Sequence, residues 1–212
     1  MTTALPDITE IAPDVYDITV KEAPDARWRV FLFDGETPTL VDAGFEDTVD
    51  VVASAAEELG ITPARIVITH GDGDHVGGLA GLVDRFDLES WVPEGVEVDI
   101  EPDHRFGDGD RVGPFTAVSV PGHAQGHHSL VDGDRGIAVI GDALFGSDAR
   151  GLPSGYYVLP TAHYSADLGR ADEELSNLLE YDFDVGLVYH GSSVTENASE
   201  KIAAFVDFAG KR

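Results

Sequence analysis

The 212-residue chain contains no cysteine and three lysines, Lys21, Lys201 and Lys211. The first absence excludes disulfides, thiolate nucleophiles and cysteine-ligated zinc or iron–sulfur sites, so any metal has to be held by His, Asp or Glu. The second leaves 13 basic residues against 40 acidic ones, a formal charge of −27, which excludes a nucleic-acid binder held by a broad basic face. No long apolar run is present, and the opening stretch Met1–Tyr16 has neither a basic segment nor an apolar core of signal-peptide length. A cytoplasmic protein with no membrane partner is the expectation. A Gly-x-Ser-x-Gly turn is also missing, which together with the missing cysteine leaves little support for a covalent acyl-enzyme route. No repeat, low-complexity tract or linker breaks the chain, so residues 1–212 read as a single domain.

What is there is an ordinary globular interior under an unusual surface. Hydrophobic residues make up 42% and charged residues 25%, enough for one sizeable core with the acidity outside it. The 25 Asp and 15 Glu are spread along the chain rather than clustered. Self-repulsion on that scale costs stability at low salt, whereas molar salt shortens the Debye length to about 3 Å and removes the penalty. The surface is therefore read as salt-adapted and the source as a halophile, the plainer alternative being an acidic mesophilic protein.

Short Val- and Ile-rich runs recur and stop at small clusters of Gly, Asp and His. Thr39–Val41 precedes Asp42-Ala43-Gly44, Ile66–Thr69 precedes His70-Gly71, and Ala117–Val120 precedes Pro121-Gly122-His123. Ile137–Ile140 leads to Gly141-Asp142 and Val185–Tyr189 to His190-Gly191. These read as buried strands, each delivering a His or Asp into a Gly-containing loop at its carboxyl end, where layered α/β folds place ligands and catalytic groups. Apolar residues at spacings of three and four predict helices over Glu46–Leu59, Val76–Phe86, Asp167–Leu179 and Glu196–Phe208, with Asp167 or Ser165 capping the third and Thr195 or Asn197 the last. Val15–Val20 and Arg29–Phe33 read as a hairpin or meander around Pro24-Asp25, and Asp148–His163 as a loop over the site.

The densest chemistry lies in Thr69-His70-Gly71-Asp72-Gly73-Asp74-His75, where six residues hold four potential ligands between a predicted strand and a predicted helix. Titratable groups so close repel or desolvate one another, and a divalent cation relieves the cost. A solvated acidic turn with two incidental histidines is the competing reading, weakened by His123, Asp142 and His190 at the other strand ends.

In that chain order the residues resemble the metallo-β-lactamase superfamily, and within it the glyoxalase II-like hydrolases, whose pattern is His-x-His-x-Asp-His, a separate His, a bridging Asp and a final His. The likeness runs from about Val15 to Ile202 and implies a four-layered αββα sandwich of two mixed β-sheets flanked by helices. It implies one metal site on His70 and His123, a second on Asp74, His75 and His190, Asp142 between them, and Asp42 as a supporting residue that fixes the ligating loop. It further implies one or two zinc ions, which lower the pKa of bound water toward about 7 and polarise the substrate. The activity implied is cleavage of a small ester, thioester or lactone, with Asp74 orienting the attacking hydroxide. The helical carboxy-terminal extension with which glyoxalase II enzymes hold glutathione is not seen, which lowers that substrate in particular.

Asp72 departs from the pattern, standing where the family has the second His of its motif. As a ligand it would harden the first site and admit manganese or iron. A carboxylate here also resembles the diiron members of the superfamily, so an iron-dependent redox enzyme and a non-catalytic metal-binding scaffold stand as alternatives. A small-molecule substrate is expected, and a homodimer is left open. His127 and His128 are read as structural or surface residues or as a replacement imidazole, and His104 as surface. Tyr156, Tyr157 and His163 line the substrate mouth or pack the loop, and Phe205 and Phe208 are expected in the core.

Overall fold

A computed structural model describes residues 7–23 and 26–208. These fall into two compact units, one running to Val92 and including Val96–Arg105, the other comprising Pro93–Gly95 and the chain from Phe106 onward.

The first unit is organised by a sheet whose strands follow chain order: β1 (Asp7–Ala12), β2 (Val15–Ala23), β3 (Ala26–Phe33), β4 (Thr39–Val41), β5 (Arg65–Val67), β6 (Glu89–Pro93) and β7 (His104–Phe106). β1 to β4 pair antiparallel, whereas β4, β5 and β6 run parallel, with Leu40 opposite Ile66 and Ile66 opposite Ser90. The change of sense follows from the crossovers, since α1 (Val49–Leu59) and α3 (Leu79–Phe86) return the chain to the same end of the sheet. Both helices bury one face: Val52, Ala55, Leu79 and Leu82 pack with Ile18, Val20, Leu32, Leu40 and Ile66. The alternate residues of β2 and β3 are buried too, among them Asp17 and Arg29, whose Nη1 and Oδ2 lie 3.1 Å apart. Burial pushes the Asp17 carboxyl up from its ordinary value, and Arg29 and Arg27 pull against that rise.

The second unit holds a sheet in the order β14-β11-β10-β9-β8, formed by β8 (Arg111–Val112), β9 (Phe115–Ser119), β10 (His128–Asp132), β11 (Ile137–Gly141) and β14 (Val185–Val188). β14 joins β11 parallel and the other pairs are antiparallel. β12 (Phe145–Gly146) and β13 (Tyr157–Val158) make a small antiparallel ribbon. Leu175 and Leu178, in a 3-10 turn that continues α4 (Leu168–Glu174), pack with Ala198 and Ile202 of α5 (Ala198–Val206) on Val118, Val131, Ile140 and Val188. Each unit is thus a mixed sheet with helices on one face, the α/β class expected from the alternation of strands and helices. Among the described residues no helix is long and apolar enough to cross a membrane.

Several boundaries differ from the sequence reading for local reasons. The first predicted helix begins as a 3-10 turn over Glu46–Thr48. The second is split by Gly77 and Gly78 into α2 (Gly73–Val76) and α3. Asp167 rather than Ser165 caps α4, its side chain accepting from the Arg170 N–H. Asn197 occupies the cap position of α5 in a left-handed conformation without a side-chain cap bond. Asp148–His163 is not one loop, since it contains most of a 3-10 turn over Ser147–Arg150 and all of β13. Phe208 is 61% exposed, because α5 ends at Val206 and leaves its ring beyond the packed face. Val15–Val20 and Arg29–Phe33 pair as read, while Pro24-Asp25 lies outside the described residues.

Candidate metal centre

In the first unit the ligand types are gathered by one buried carboxylate. β4 ends at Val41, and Asp42 turns left-handed at φ 62° while its N–H donates to Val67 O at 2.9 Å, which seats the turn on the end of β5. Asp42 Oδ1 accepts from the Thr69 N–H at 2.7 Å. Its Oδ2 accepts from the Thr69 hydroxyl at 2.7 Å and lies 2.8 Å from His75 Nδ1. The Thr69 hydroxyl has one proton and spends it on Asp42, so at 3.0 Å from His70 Nδ1 it acts as acceptor. Protons are thereby fixed on the Nδ1 atoms of both His70 and His75, and the Nε2 lone pairs are left for a metal, the arrangement carboxylates impose on ligating imidazoles. His70 and His75 are 0% and 1% exposed, with ring centroids 4.0 Å apart. His70 Nε2 stands 3.8 Å from Asp72 Oδ2, and His75 Nε2 is 3.8 Å from Asp74 Oδ2. Asp72 is the most open member, its side chain 48% exposed at the cap of α2.

In the second unit Asp142 follows β11 and His190 follows β14. Asp142 Oδ2 lies 3.6 Å from His123 Nε2 and 3.3 Å from His190 Nε2, so one carboxylate oxygen faces two imidazoles. The Asp142 N–H donates to His127 Nε2 at 3.0 Å, which gives His127 a structural role and puts its own proton on Nδ1. His123 is braced by backbone bonds, its carbonyl accepting from Ala166 N at 2.9 Å and that of Gly122 accepting from Asp167 N at 2.8 Å. Gly122 has φ 135°, and a Cβ there would fall on the Ala171 backbone nitrogen, so only glycine allows α4 to approach this closely.

The spacing of these donors is compatible with a metal. Two ligand atoms held about 2.0–2.2 Å from one tetrahedral ion stand roughly 3.4 Å apart. The four imidazole–carboxylate separations, 3.3 to 3.8 Å, bracket that value, and three of them are too long for a hydrogen bond. Imidazole nitrogen with carboxylate oxygen is a donor set that fits zinc and also admits iron or manganese.

The remaining sequence candidates sit elsewhere. Tyr157 is buried in the second unit's core, its hydroxyl against Gly186. His163 is exposed with its ring against Tyr164. His104 is at the surface, stacked on Trp91 with ring centroids 4.0 Å apart. His128 Nδ1 bonds the Gly126 carbonyl at 2.9 Å. Sequence reasoning missed Thr69 as the relay between Asp42 and His70, and missed the brace that residues 166–167 place on His123. The pairing of Thr69 with His70 in sequence was a usable signal for the first, but no local signal marks the second.

Residues 29–116 match the family model of the metallo-beta-lactamase superfamily. A metallo-beta-lactamase from Pontibacter korlensis superposes with a TM-score of 0.74 at 16% identity, covering 98% of this chain and 100% of that one. The chain has the metallo-β-lactamase fold. A second structure, TTHA1623 in a di-iron-bound form, reaches a TM-score of 0.65 at 24% identity, covering 84% of this chain and 93% of that one. The hydroxyacylglutathione hydrolase of Xanthomonas euvesicatoria pv. vesicatoria is 33% identical over 123 residues, 56% of this chain and 46% of its own length. The chain therefore spans about half the length of the curated relatives it matches.

Proposed function

We propose that this protein is a metal-dependent hydrolase of a small ester, thioester or lactone, with His70, His123 and Asp142 holding one ion and Asp74, His75 and His190 another. The observation that carries the reading is the Asp42 relay, which directs both Nε2 lone pairs of the first motif toward carboxylates. A divalent ion bound to such residues supplies an acidified water and polarisation of the scissile carbonyl. The chain's own contributions are orientation and proton handling. Asp74, 20% exposed in its side chain, would orient the attacking water. Asp42 keeps His75 and His70 in one tautomer throughout, and His127 holds the Asp142 backbone. The similarity to hydroxyacylglutathione hydrolase supports a thioester or related acyl substrate.

Zinc is the proposed metal, in a single catalytic domain with a small-molecule substrate, working in a salt-rich cytoplasm. A second reading, an iron redox enzyme, is favoured by the carboxylate Asp72 beside His70 and by the likeness of fold to a di-iron protein. One experiment separates them: metal content of protein purified in high salt, followed by assay on thioesters and lactones, for wild type, Asp74→Ala, Asp72→Ala and Asp72→His. Zinc or manganese with turnover that Asp74→Ala abolishes supports the hydrolase, and metal loss in Asp72→Ala makes Asp72 a ligand. Bound iron with oxygen consumption and no hydrolysis supports the redox enzyme, and metal without either activity refutes both.

A further inference from the structure

His190 sits on a loop whose shape is set by a residue 42 positions earlier, outside the ligand motifs. Asp148, in the 3-10 turn over Ser147–Arg150, reaches the residue two beyond His190: its Oδ1 accepts from the Ser192 N–H at 2.7 Å and its Oδ2 accepts from the Ser192 hydroxyl at 2.7 Å. The same turn is tied to His190 itself, because the Gly146 N–H donates to the His190 carbonyl at 2.8 Å. Between the two bonds lies Gly191 at φ 76°, where a Cβ would run into the Gly146 carbonyl and Asp148 Oδ1. The turn is therefore in direct contact with the chain from the His190 carbonyl to Ser192.

From this we infer that Asp148 is a positioning residue for the metal centre, acting through Ser192 and Gly191 to aim His190 toward Asp142. Two charge-assisted bonds from one carboxylate to one residue fix both the position and the rotation of that residue, which a single neutral bond does not. His190 needs such a brace more than the other imidazoles. Its side chain is 19% exposed, whereas those of His70, His75 and His123 are at most 2% exposed and are confined by packing. Phe145, at the head of the same ribbon, limits the ring from one side with centroids 4.6 Å apart. The segment from Phe145 to Arg150 thus holds His190 by its ring, its carbonyl and the loop after it. Support of this indirect kind changes metal affinity by about 10–100-fold when removed.

The inference rests on the metal-centre reading, and the test keeps the two apart. Zinc affinity is measured by competition with a chromophoric chelator for wild type, Asp148→Ala, Asp148→Asn and Ser192→Ala, alongside thermal melting of each protein with metal stripped by excess chelator. The expected result is graded: zinc binding about tenfold weaker or more in Asp148→Ala, a smaller loss in Asp148→Asn, which keeps one acceptor, and about threefold in Ser192→Ala. Melting of the stripped proteins is expected to stay within a few degrees, so that the loss lies in metal binding and not in folding. Should Asp148→Ala not fold, Ser192→Ala and Asp148→Asn carry the test, and wild-type affinity in both overturns the inference. Wild-type affinity in Asp148→Ala overturns it alone. A wild-type protein that takes up no zinc overturns the metal-centre reading and this inference with it.

Discussion

Asp42 Oδ2 lies 2.8 Å from His75 Nδ1 across 33 residues of chain, and the same carboxylate holds both polar groups of Thr69. A residue with no solvent exposure and a left-handed backbone therefore serves three donors at once.

Asp42→Ala is expected to leave those three donors without their acceptor and to lower stability by about 3 kcal/mol or more, with metal affinity falling about 10–100-fold. Asp42→Asn, which tolerates the left-handed backbone and keeps one acceptor, is expected to lose less on both counts. Urea unfolding and chelator competition on the two variants check this, and equal effects would contradict it.

Two glycines, Gly122 and Gly169, should respond with opposite signs. Gly122→Ala forces a side chain onto the Ala171 backbone at φ 135° and is expected to cost several kcal/mol or to prevent folding. Gly169→Ala, inside α4 with only an ordinary 3.4 Å contact to Asp167 Oδ1, is expected to stabilise by roughly 0.5–1 kcal/mol. Thermal melting of the pair is sufficient.

The acid limb of stability is expected to depend on Asp103 and Glu89. The N–H and hydroxyl of Ser90 hold the Asp103 carboxyl below its usual range. Burial would raise Glu89, but bonds from Arg65 and His104 outweigh it and leave that group lowered as well. Folding thus releases protons from both, so their contribution is complete above the ordinary carboxylate pKa of about 4 and is lost as pH falls through the lower folded values. Asp17 has the opposite sign, its carboxyl being raised. Asp103→Asn should therefore flatten the fall in urea midpoint below about pH 4.5, and an unchanged slope would refute the assignment.

With a formal charge of −27, relief of self-repulsion by salt should be visible directly. A gain of a few kcal/mol corresponds to a rise in melting temperature of about 10 °C for a chain of this size. Melting in 0.1 and 2 M KCl measures it, and a temperature indifferent to salt would remove the case for a halophilic setting.

The strands that end in candidate ligands were legible because a buried strand and a glycine-containing loop leave a signal within a few residues. Thr39–Val41 and Val185–Val188 show it, and both lie where their hydrophobic runs place them. β10 was not legible, since its five buried residues begin with His128 and include Ser129, whose hydroxyl is satisfied by the Ile140 carbonyl of the neighbouring strand. The same limit hid Asp148. Its partner Ser192 is 44 residues away, and a bond of that span is a product of topology, to which no local pattern in Gly146–Arg150 corresponds.

The register of β11 and β14 slips by one residue between Val139 and Gly141, so that Gly141 faces Val188 and the ladder stops just short of Asp142 and His190. Asp42 and His70 likewise follow the last paired residues of β4 and β5. Reagents and scaffold are therefore inherited separately: a ligand position can change its chemical type while every strand keeps its partner. Asp72, a carboxylate where the His-x-His-x-Asp-His pattern has its second imidazole, would be such an exchange, made without loss of the folded protein.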